Sequence, residues 1–412
     1  MEDIINRNTA EKTKKPIIDE IIEDDFQRMT EFSALYRAHQ KAKRGKKNKR
    51  EVMEFELNLG LNLMKVQDEL RSGTYAIDGY RKFLVYEPRE REIQTLSYRD
   101  RMIQHAICDE VLIPQISKKL IYDNVACQEE KGNNFAVKRL TAHLVKFYKE
   151  HGNKGYFLKA DIKSYFASID HDIIKKLIAK EFTDEKIRSM VDMYIDSYAN
   201  ENGTGLAQGN LVSQVLALYY LNPLDHFIKE ELRIKYYIRY MDDMVLIHED
   251  KEKLKEIRFR LESFIEHKLH LRFNEKTEMA ALSQGIDFIG FHFYVTESGK
   301  VIRRLRKSAK KRLQRKFNKM KYDYYCGRTD LETINKQIVS IQGHLKQGHT
   351  YQLQKKIFQN FTIENLEKGK QHTIKKIEER KRKQKARQQA QKQTKSPPLD
   401  NSKRNDAPRK TA

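Results

Sequence analysis

Long apolar runs are missing from this chain, and so are the usual small-domain staples. No stretch of the 412 residues approaches the roughly 20 apolar residues that a membrane span needs. The acidic, polar start "MEDIINRNTAEKTKK" lacks the apolar segment of a signal peptide. A cytoplasmic protein without a membrane partner is therefore expected. Cysteine is scarce: Cys108, Cys127 and Cys326 lie far apart and never as C-x-x-C, which speaks against a disulfide framework and a zinc knuckle. Negative charge is in deficit too, with 58 Asp and Glu against 81 Lys and Arg, a net charge of +23. That imbalance favours a polyanionic partner, nucleic acid first. No internal repeat is visible.

The positive charge is unevenly spread. "KAKRGKKNKR", Lys41 to Arg50, holds seven basic residues in ten and reads as a solvated arm ahead of the folded body. From Arg303 to Lys321 there are eleven basic residues and no acidic one, while Ala309, Leu313, Phe317 and Met320 keep a helical apolar stripe. One face of such a helix packs and the other meets phosphates. From Lys370 to Ala412 fifteen basic residues face four acidic ones, and the composition becomes simple enough to predict disorder from Thr394.

Between these basic segments the pattern is that of a mixed fold. Phe55, Leu59, Leu63, Val66 and Leu70 recur at helical spacing, and Tyr98 to Ile116 is helical again. Gly73, Gly79 and Pro88 punctuate two strands in "RSGTYAIDGYRKFLVYEPRERE". Tyr156, Phe157, Leu158 and Ala160 suggest a buried strand with Asp161 at its end. Asp170 is placed to cap the helix that starts in "SIDHDIIKKLI". Leu254 to Leu269 is an amphipathic helix, and "IDFIGFHFYV" is a strand pair or turn around Gly290.

The stretch "KYYIRYMDDMVLIHED" sets Asp242 and Asp243 between two runs of strand-forming residues. Two readings stand. Asp tolerates turn geometry, so the pair can be a hairpin tip and nothing more. Alternatively, adjacent carboxylates repel and raise one another's pKa unless a cation compensates, which makes a divalent-metal site. That second reading needs a further carboxylate, and Asp161, closing an apolar strand with no capping task, can supply it.

These motifs resemble those of the reverse transcriptases. Tyr240-Met241-Asp242-Asp243 matches the family's Tyr-x-Asp-Asp, and "DIKSYF" resembles the motif of its first catalytic aspartate, in the same order. "EREIQTLSYRDRMIQHAICDEVLIP" is similar to the fingers segment and "GLAQGNLVSQVLALYYLNPLDHF" to the loop and helix under the nascent base pair. "LRFNEKTEM" and "IDFIGFHF" resemble the lysine segment near the triphosphate and the primer grip.

The resemblance implies an α+β right-hand polymerase. Its expected parts are an N-terminal basic arm over 1–50, fingers over 51–154, a palm of antiparallel sheet flanked by helices over 155–296, a helical thumb over 297–369, and a basic tail over 370–412. It implies an RNA-directed DNA polymerase with two Mg2+ ions, or Mn2+ in their place, an RNA template, a DNA or RNA primer and deoxynucleoside triphosphates. Carried over by residue, Asp161 and Asp242 hold metal, Asp243 supports them, and the carbonyl of Ile162 is an additional candidate ligand. Phe166 falls where an aromatic excludes a 2'-hydroxyl, with ordinary core packing as its alternative. Gln208 and Gly209 would line the nucleotide pocket, Arg89, Arg91 and Lys276 would face the triphosphate, and Phe288, Gly290 and Phe291 would form the primer grip.

Within the family, Ser213-Gln214 and "NVACQEEKGNNFAVKRL" look most like the bacterial diversity-generating retroelement enzymes, which work with a small basic accessory protein. Ala207, Gln208 and Val212 depart from that pattern, where proline, an aliphatic residue and threonine are usual. The departure keeps related phage-defence enzymes, copying their own non-coding RNA, as the alternative. An RNA-dependent RNA polymerase would share the palm, but Phe166 argues against it. An inactive RNA-binding scaffold would not need all three carboxylates.

Overall fold

Helices come first among the described residues. The computed structural model describes residues 24–86, 90–198, 200, 202–359 and 361–393. By internal contacts these fall into two units, Met1–Ile286 with Glu297–Gly299, and Asp287–Thr296 with Lys300–Ala412. In the first unit, α1 (Asp25–Thr30) starts where the Asp24 carboxylate accepts the Phe26 amide at 3.1 Å. It is followed by α2 (Phe32–Ala42), α3 (Arg50–Leu57) and α4 (Leu59–Arg71). Phe26, Met29, Leu35 and Ala38 are buried, so residues 24–42 belong to the core and not to an arm ahead of it. The solvated part of the expected arm is the exposed basic turn 44–49 between α2 and α3, with exposed Arg50 starting α3. The apolar stripe from Phe55 to Leu70 makes two helices instead of one: at Asn58 the backbone leaves helical geometry (φ −127°, ψ 44°). The Asn62 side chain then donates to the freed Phe55 carbonyl at 2.9 Å.

Strands β1 (Arg81–Val85) and β2 (Arg91–Thr95) form an antiparallel hairpin, with Arg81 opposite Thr95 and Val85 opposite Arg91. Helix α5 (Tyr98–Ile107) passes through a π turn at Cys108–Leu112 into α6 (Ile113–Ser117), and α7 (Asn133–His151) leads to the central sheet.

That sheet is built from β3 (Tyr156–Ala160), β4 (Tyr236–Tyr240), β5 (Asp243–His248) and β6 (Glu278–Ala281), in the order β4-β5-β3-β6. All three pairings are antiparallel. Between β3 and β4 run α8 (His171–Glu181), α9 (Glu185–Asp196), α10 (Leu211–Tyr220) and α11 (Asn222–His226), and α12 (Lys251–Leu269) joins β5 to β6. Asp170 caps α8 as the sequence suggests, accepting the Ile173 amide at 3.1 Å. Leu254, Ile257, Leu261, Ile265 and Leu269 are buried at steps of three and four, which lays α12 on the sheet. Because β3 and β5 run antiparallel with Ala160 opposite Met244, the chain end of β3 and the start of β5 meet at one edge.

The second unit has its own sheet, ordered β7 (Ile286–Phe288), β8 (Phe291–Val295), β9 (Val301–Leu305), and then α13 (Lys307–Tyr325), α14 (Leu331–Leu345), α15 (Tyr351–Gln359) and α16 (Ile363–Gln393). Phe317, Met320, Tyr324, Ile334, Ile341, Leu345, Phe361 and Leu366 make its helical core. Arg303 and Arg304, expected at the start of the basic helix, are instead strand residues of β9, opposite Phe293 and His292. Residues 370–393, the part of the basic tail with room for a helix in an otherwise largely disordered expectation, continue α16, and the disorder expected from Thr394 falls outside the described residues. Cys108, Cys127 and Cys326 are unpaired. Among the described residues no helix is long and apolar enough to cross a membrane.

Candidate active site

Asp161 follows the last residue of β3, and its main chain is tied down on the far side. The Asn274 amide donates to the Asp161 carbonyl at 2.7 Å, Ile162 bridges Phe273, and the Lys163 amide donates to the Arg272 carbonyl at 2.9 Å. The Asn274 side-chain amide also lies 3.4 Å from the Asp161 carboxylate. Across the sheet, the β4–β5 hairpin turns in two residues, Met241 and Asp242, because Tyr240 already pairs with Asp243. Met241 takes a left-handed φ of 56°, as a tight hairpin turn requires at its first position. Asp243 is therefore the first residue of a strand and not part of the tip.

Register thus brings Asp161 to the edge where Asp242 and Asp243 stand. Burial, followed by the negative charge of Asp161, pushes the Asp242 carboxyl up to about 6. Burial is also the main cause that raises Asp243 to about 7, against the pull of Lys159 and with the further push of Asp161 and Asp242. Lys159 Nζ lies 3.6 Å from Asp243 Oδ1, which is buried and has no hydrogen-bond partner. Carboxylates raised by burial and by one another, one with an orphaned oxygen, are a donor set that suits a hard divalent cation. Among the described residues no three His, Cys, Asp or Glu side chains stand together at ligating distance. The three carboxylates face one another's charge without forming a closed cage, consistent with the cost of crowding like charges.

Phe166 lies in the 3-10 turn Tyr165–Ser168, half-buried, with its ring edge-on to Tyr165 at 5.9 Å between centroids. Its carbonyl accepts the Leu206 amide at 2.8 Å, which ties the turn to the segment entering Gln208. The Gln208 carbonyl accepts the Gln94 amide of β2 at 3.1 Å. Gly209 has φ 109°, and a Cβ there would stand 3.0 Å from Ile93 Cγ2 and 3.2 Å from the Gln94 carbonyl oxygen. Glycine is needed on both counts. Gln208, Gln94, Glu92 and Ala167 share a groove of about 270 Å³.

Lys276 is exposed on the turn from Asn274 to Thr277, its amide donating to the Asn274 side chain at 3.2 Å. It therefore hangs from the loop that anchors Asp161. Arg91 is the first residue of β2, while Arg89 lies outside the described residues. Phe288, Gly290 and Phe291 fall in the second unit, where Ile289 (φ 46°) and Gly290 (φ 81°) make a tight turn between two buried phenylalanines.

Sequence reasoning passed over Asn274 and, more importantly, Arg239 and Asp225, both fully buried, with Arg239 bonded to the Met241–Asp242 turn. A signal was present for Arg239: a cation amid "YYIRY", in a strand otherwise made for burial, needs a buried partner.

Residues 89–293 match the family model described as reverse transcriptase (RNA-dependent DNA polymerase). The group II intron-encoded protein LtrA of Lactococcus lactis subsp. cremoris is 23% identical over 314 residues, 58% of this chain and 51% of that protein. An uncharacterised 91 kDa protein in the cob intron of Schizosaccharomyces pombe is 32% identical over 80 residues, 18% of this chain and 10% of that one. The chain thus spans about half the length of the first of these curated relatives, and less of the second. Among solved structures, apo telomerase from Candida tropicalis truncated from its C-terminal domain aligns with a TM-score of 0.44 and 17% identity over 55% of each chain. Telomerase from Candida albicans in complex with a fragment of telomeric RNA aligns at 0.43 and 13%, over 56% of this chain and 46% of that one. With the family match, the antiparallel sheet and its flanking helices are an α+β right-hand polymerase fold.

Proposed function

We propose, from the premise that this chain belongs to the reverse transcriptase family, that it copies RNA into DNA by two-metal nucleotidyl transfer. The observation that carries the reading is the register of β3 against β5, with Ala160 opposite Met244, which sets Asp161 beside Asp242 and Asp243. Asp161 and Asp242 would hold the cations, Asp243 would support them, and the Ile162 carbonyl would add a ligand. Mg2+ at such carboxylates supplies activation of the primer hydroxyl and stabilisation of the leaving pyrophosphate.

The chain's own groups do the rest. Phe166 closes the space a 2'-hydroxyl would take, and Gln208 and Gly209 line the nucleotide pocket on a loop pinned to β2. Arg89, Arg91 and Lys276 offer cations to the triphosphate. Phe288, Gly290 and Phe291 grip the primer. On this reading fingers, palm and thumb follow one another over 51–154, 155–296 and 297–369, with template RNA, primer and deoxynucleotides as partners and the cytoplasm as the setting.

The enzyme serves a retroelement. Ser213-Gln214 favours the diversity-generating type, with a small basic accessory protein as helper. Gln208, long and polar where that type has an aliphatic residue, favours the second reading, a phage-defence enzyme with its own RNA template. A template repeat and a variable target gene beside the coding region would distinguish the first from the second.

The direct test is extension of a DNA primer on an RNA template with deoxynucleotides and Mg2+. Synthesis is expected from the natural chain and none from Asp161→Ala or Asp242→Ala, since each removes a metal ligand from the step that lowers the barrier. Undiminished synthesis by either variant would sink the assignment.

A further inference from the structure

The sharpest unexplained feature of the first unit is an ion pair with no access to water. Arg239 and Asp225 are both fully buried. The guanidinium forks the carboxylate, Nε on Oδ1 at 2.7 Å and Nη2 on Oδ2, and the Tyr237 hydroxyl donates to Oδ1 at 2.6 Å. Such a pair is poor value for stability alone. The desolvation of two charges offsets most of their attraction, and apolar residues of similar volume commonly do as well. The remaining donors of Arg239 show what else it does. Nη1 donates to the Met241 carbonyl at 2.9 Å, and Nη2 also reaches the Leu218 carbonyl at 3.2 Å.

Both acceptors matter. Met241 is the left-handed residue of the catalytic turn, and its carbonyl carbon is bonded to the nitrogen of Asp242. A non-glycine residue in that conformation persists only where its surroundings over-determine it. Leu218 lies in the last turn of α10, where helix geometry leaves carbonyls open to side-chain donors. The Ala217 carbonyl beside it accepts the Tyr165 hydroxyl, and Tyr165 immediately precedes Phe166. One helix end therefore registers both the turn that presents Asp242 and the turn that presents Phe166. The main chain of Arg239 is fixed as well, its amide donating to the Asp123 carbonyl and its carbonyl accepting the Val125 amide, each at 3.0 Å.

We propose that Arg239, clamped by Asp225, is a positioning residue of the polymerase site: its guanidinium locks the Met241 carbonyl and the end of α10 together, so that Asp242 is held in the geometry that receives a divalent cation. The inference deepens the reading under Proposed function and rests on it. Lysine cannot do this work. Its three donors radiate from a single atom, whereas Arg239 spans two carboxylate oxygens and two carbonyls with a rigid fork.

The test is Arg239→Lys, which keeps a cation opposite Asp225, compared with Arg139→Lys. Arg139 pairs with buried Asp123 nearby but touches neither the turn nor α10. Four quantities are read. Binding of Mn2+ to the protein alone, by electron paramagnetic resonance, should weaken about fivefold or more in Arg239→Lys and hold steady in Arg139→Lys. Turnover per folded molecule should fall about tenfold or more, as expected when a reacting group is misplaced by a fraction of an ångström. The KM for deoxynucleotide and the affinity for primer-template should stay within about threefold, the signature of an interaction used in the chemical step.

Natural Mn2+ affinity and turnover per folded molecule in Arg239→Lys would overturn the proposal, leaving the pair a packing element. Failure of that variant to fold, with Arg139→Lys folded, would equally overturn it, since Arg239 would then serve the fold. If the natural chain proves unable to polymerise, the functional reading fails, while the Mn2+ titration still decides whether Arg239 positions Asp242.

Discussion

The amide of Gln94 and the carbonyl of Gln208 are joined by a hydrogen bond of 3.1 Å, which fastens strand β2 to the loop entering α10. Gly209 makes this contact feasible, for its φ of 109° is strained for any other residue, and a side chain would press on Ile93 and the Gln94 carbonyl. Gly209→Ala combines an unfavourable backbone conformation with a close contact against main chain. It is expected to lower stability by about 1 to 3 kcal/mol, read by urea unfolding. It should also raise the KM for deoxynucleotide more than it lowers the affinity for primer-template. An unchanged unfolding midpoint would mean that the loop shifts freely and is not pinned to β2.

Phe166 is half-buried and held by the Leu206 amide on its own carbonyl, so its ring can be shortened without releasing the backbone. Phe166→Val should raise the efficiency of ribonucleotide use relative to deoxynucleotide by about tenfold or more, the equivalent of about 1.4 kcal/mol of lost exclusion. Deoxynucleotide use should change little. Competition assays that show no movement in the ratio would make Phe166 a packing residue.

How far the molecule could be read beforehand depended on whether the cause was local. The β4–β5 hairpin was legible because Tyr236 to Ile247 carries its own strand preference on both sides of a tight turn. Asp170 was legible because a cap acts on the amide three residues ahead. The charge of Arg303 and Arg304 matches that of α13 and predicts a helix, whereas their pairing with Phe293 and His292 depends on a partner strand that periodicity does not reveal. Asn58 breaks a helix that an uninterrupted apolar stripe predicts, and nothing in the spacing marks it. The site divides the same way. Asp161, Asp242 and Asp243 stand out because carboxylates interrupt apolar strands, while Asp225 carries no local signal and matters through Tyr237 and Arg239, twelve and fourteen positions away.

Asp123 predicts the behaviour in acid. Its carboxylate is buried and accepts Arg139 at 2.5 Å and His143 at 3.0 Å on one oxygen and Lys229 at 3.2 Å on the other. Burial pushes its pKa up, but the bonds from His143 and Arg139 outweigh it and hold the group well below the ordinary carboxylate range. A folded pKa below the unfolded value, about 3.9, means that this stabilisation is complete above that value and is lost as pH falls below it. Asp123→Asn should therefore be less stable at pH 7, by about 2 to 3 kcal/mol given that Arg139 and Lys229 keep partial access to water. It should also lose less of its remaining stability between pH 4.5 and 3, about the window where the carboxyl of the unfolded chain takes up its proton while the native group stays ionised. Urea unfolding across that range decides it, and parallel acid profiles for the two proteins would show that Asp123 is not the group responsible.

The last prediction concerns the basic face of α13. Lys311, Arg315 and Lys319 follow one another at steps of four and are exposed, while Phe317 and Met320 on the other side enter the core of the second unit. If these cations meet phosphates, binding releases condensed counterions and becomes salt-dependent. Replacing the three by glutamine should flatten the slope of log affinity against log salt by about 2 to 3, at roughly 0.7 to 0.9 per contact. Stability should move by no more than about 0.5 kcal/mol, because exposed positions away from special contacts carry little of the fold. The two readouts separate a nucleic-acid surface from a solvated one: a merely solvated face would leave both slope and stability unchanged. Primer extension at low salt should survive the substitution, since the affinity of the remaining contacts is highest there and the carboxylates at Asp161 and Asp242 are untouched. A slope identical to that of the natural chain would place the template and product elsewhere and leave the charge on α13 without a phosphate partner.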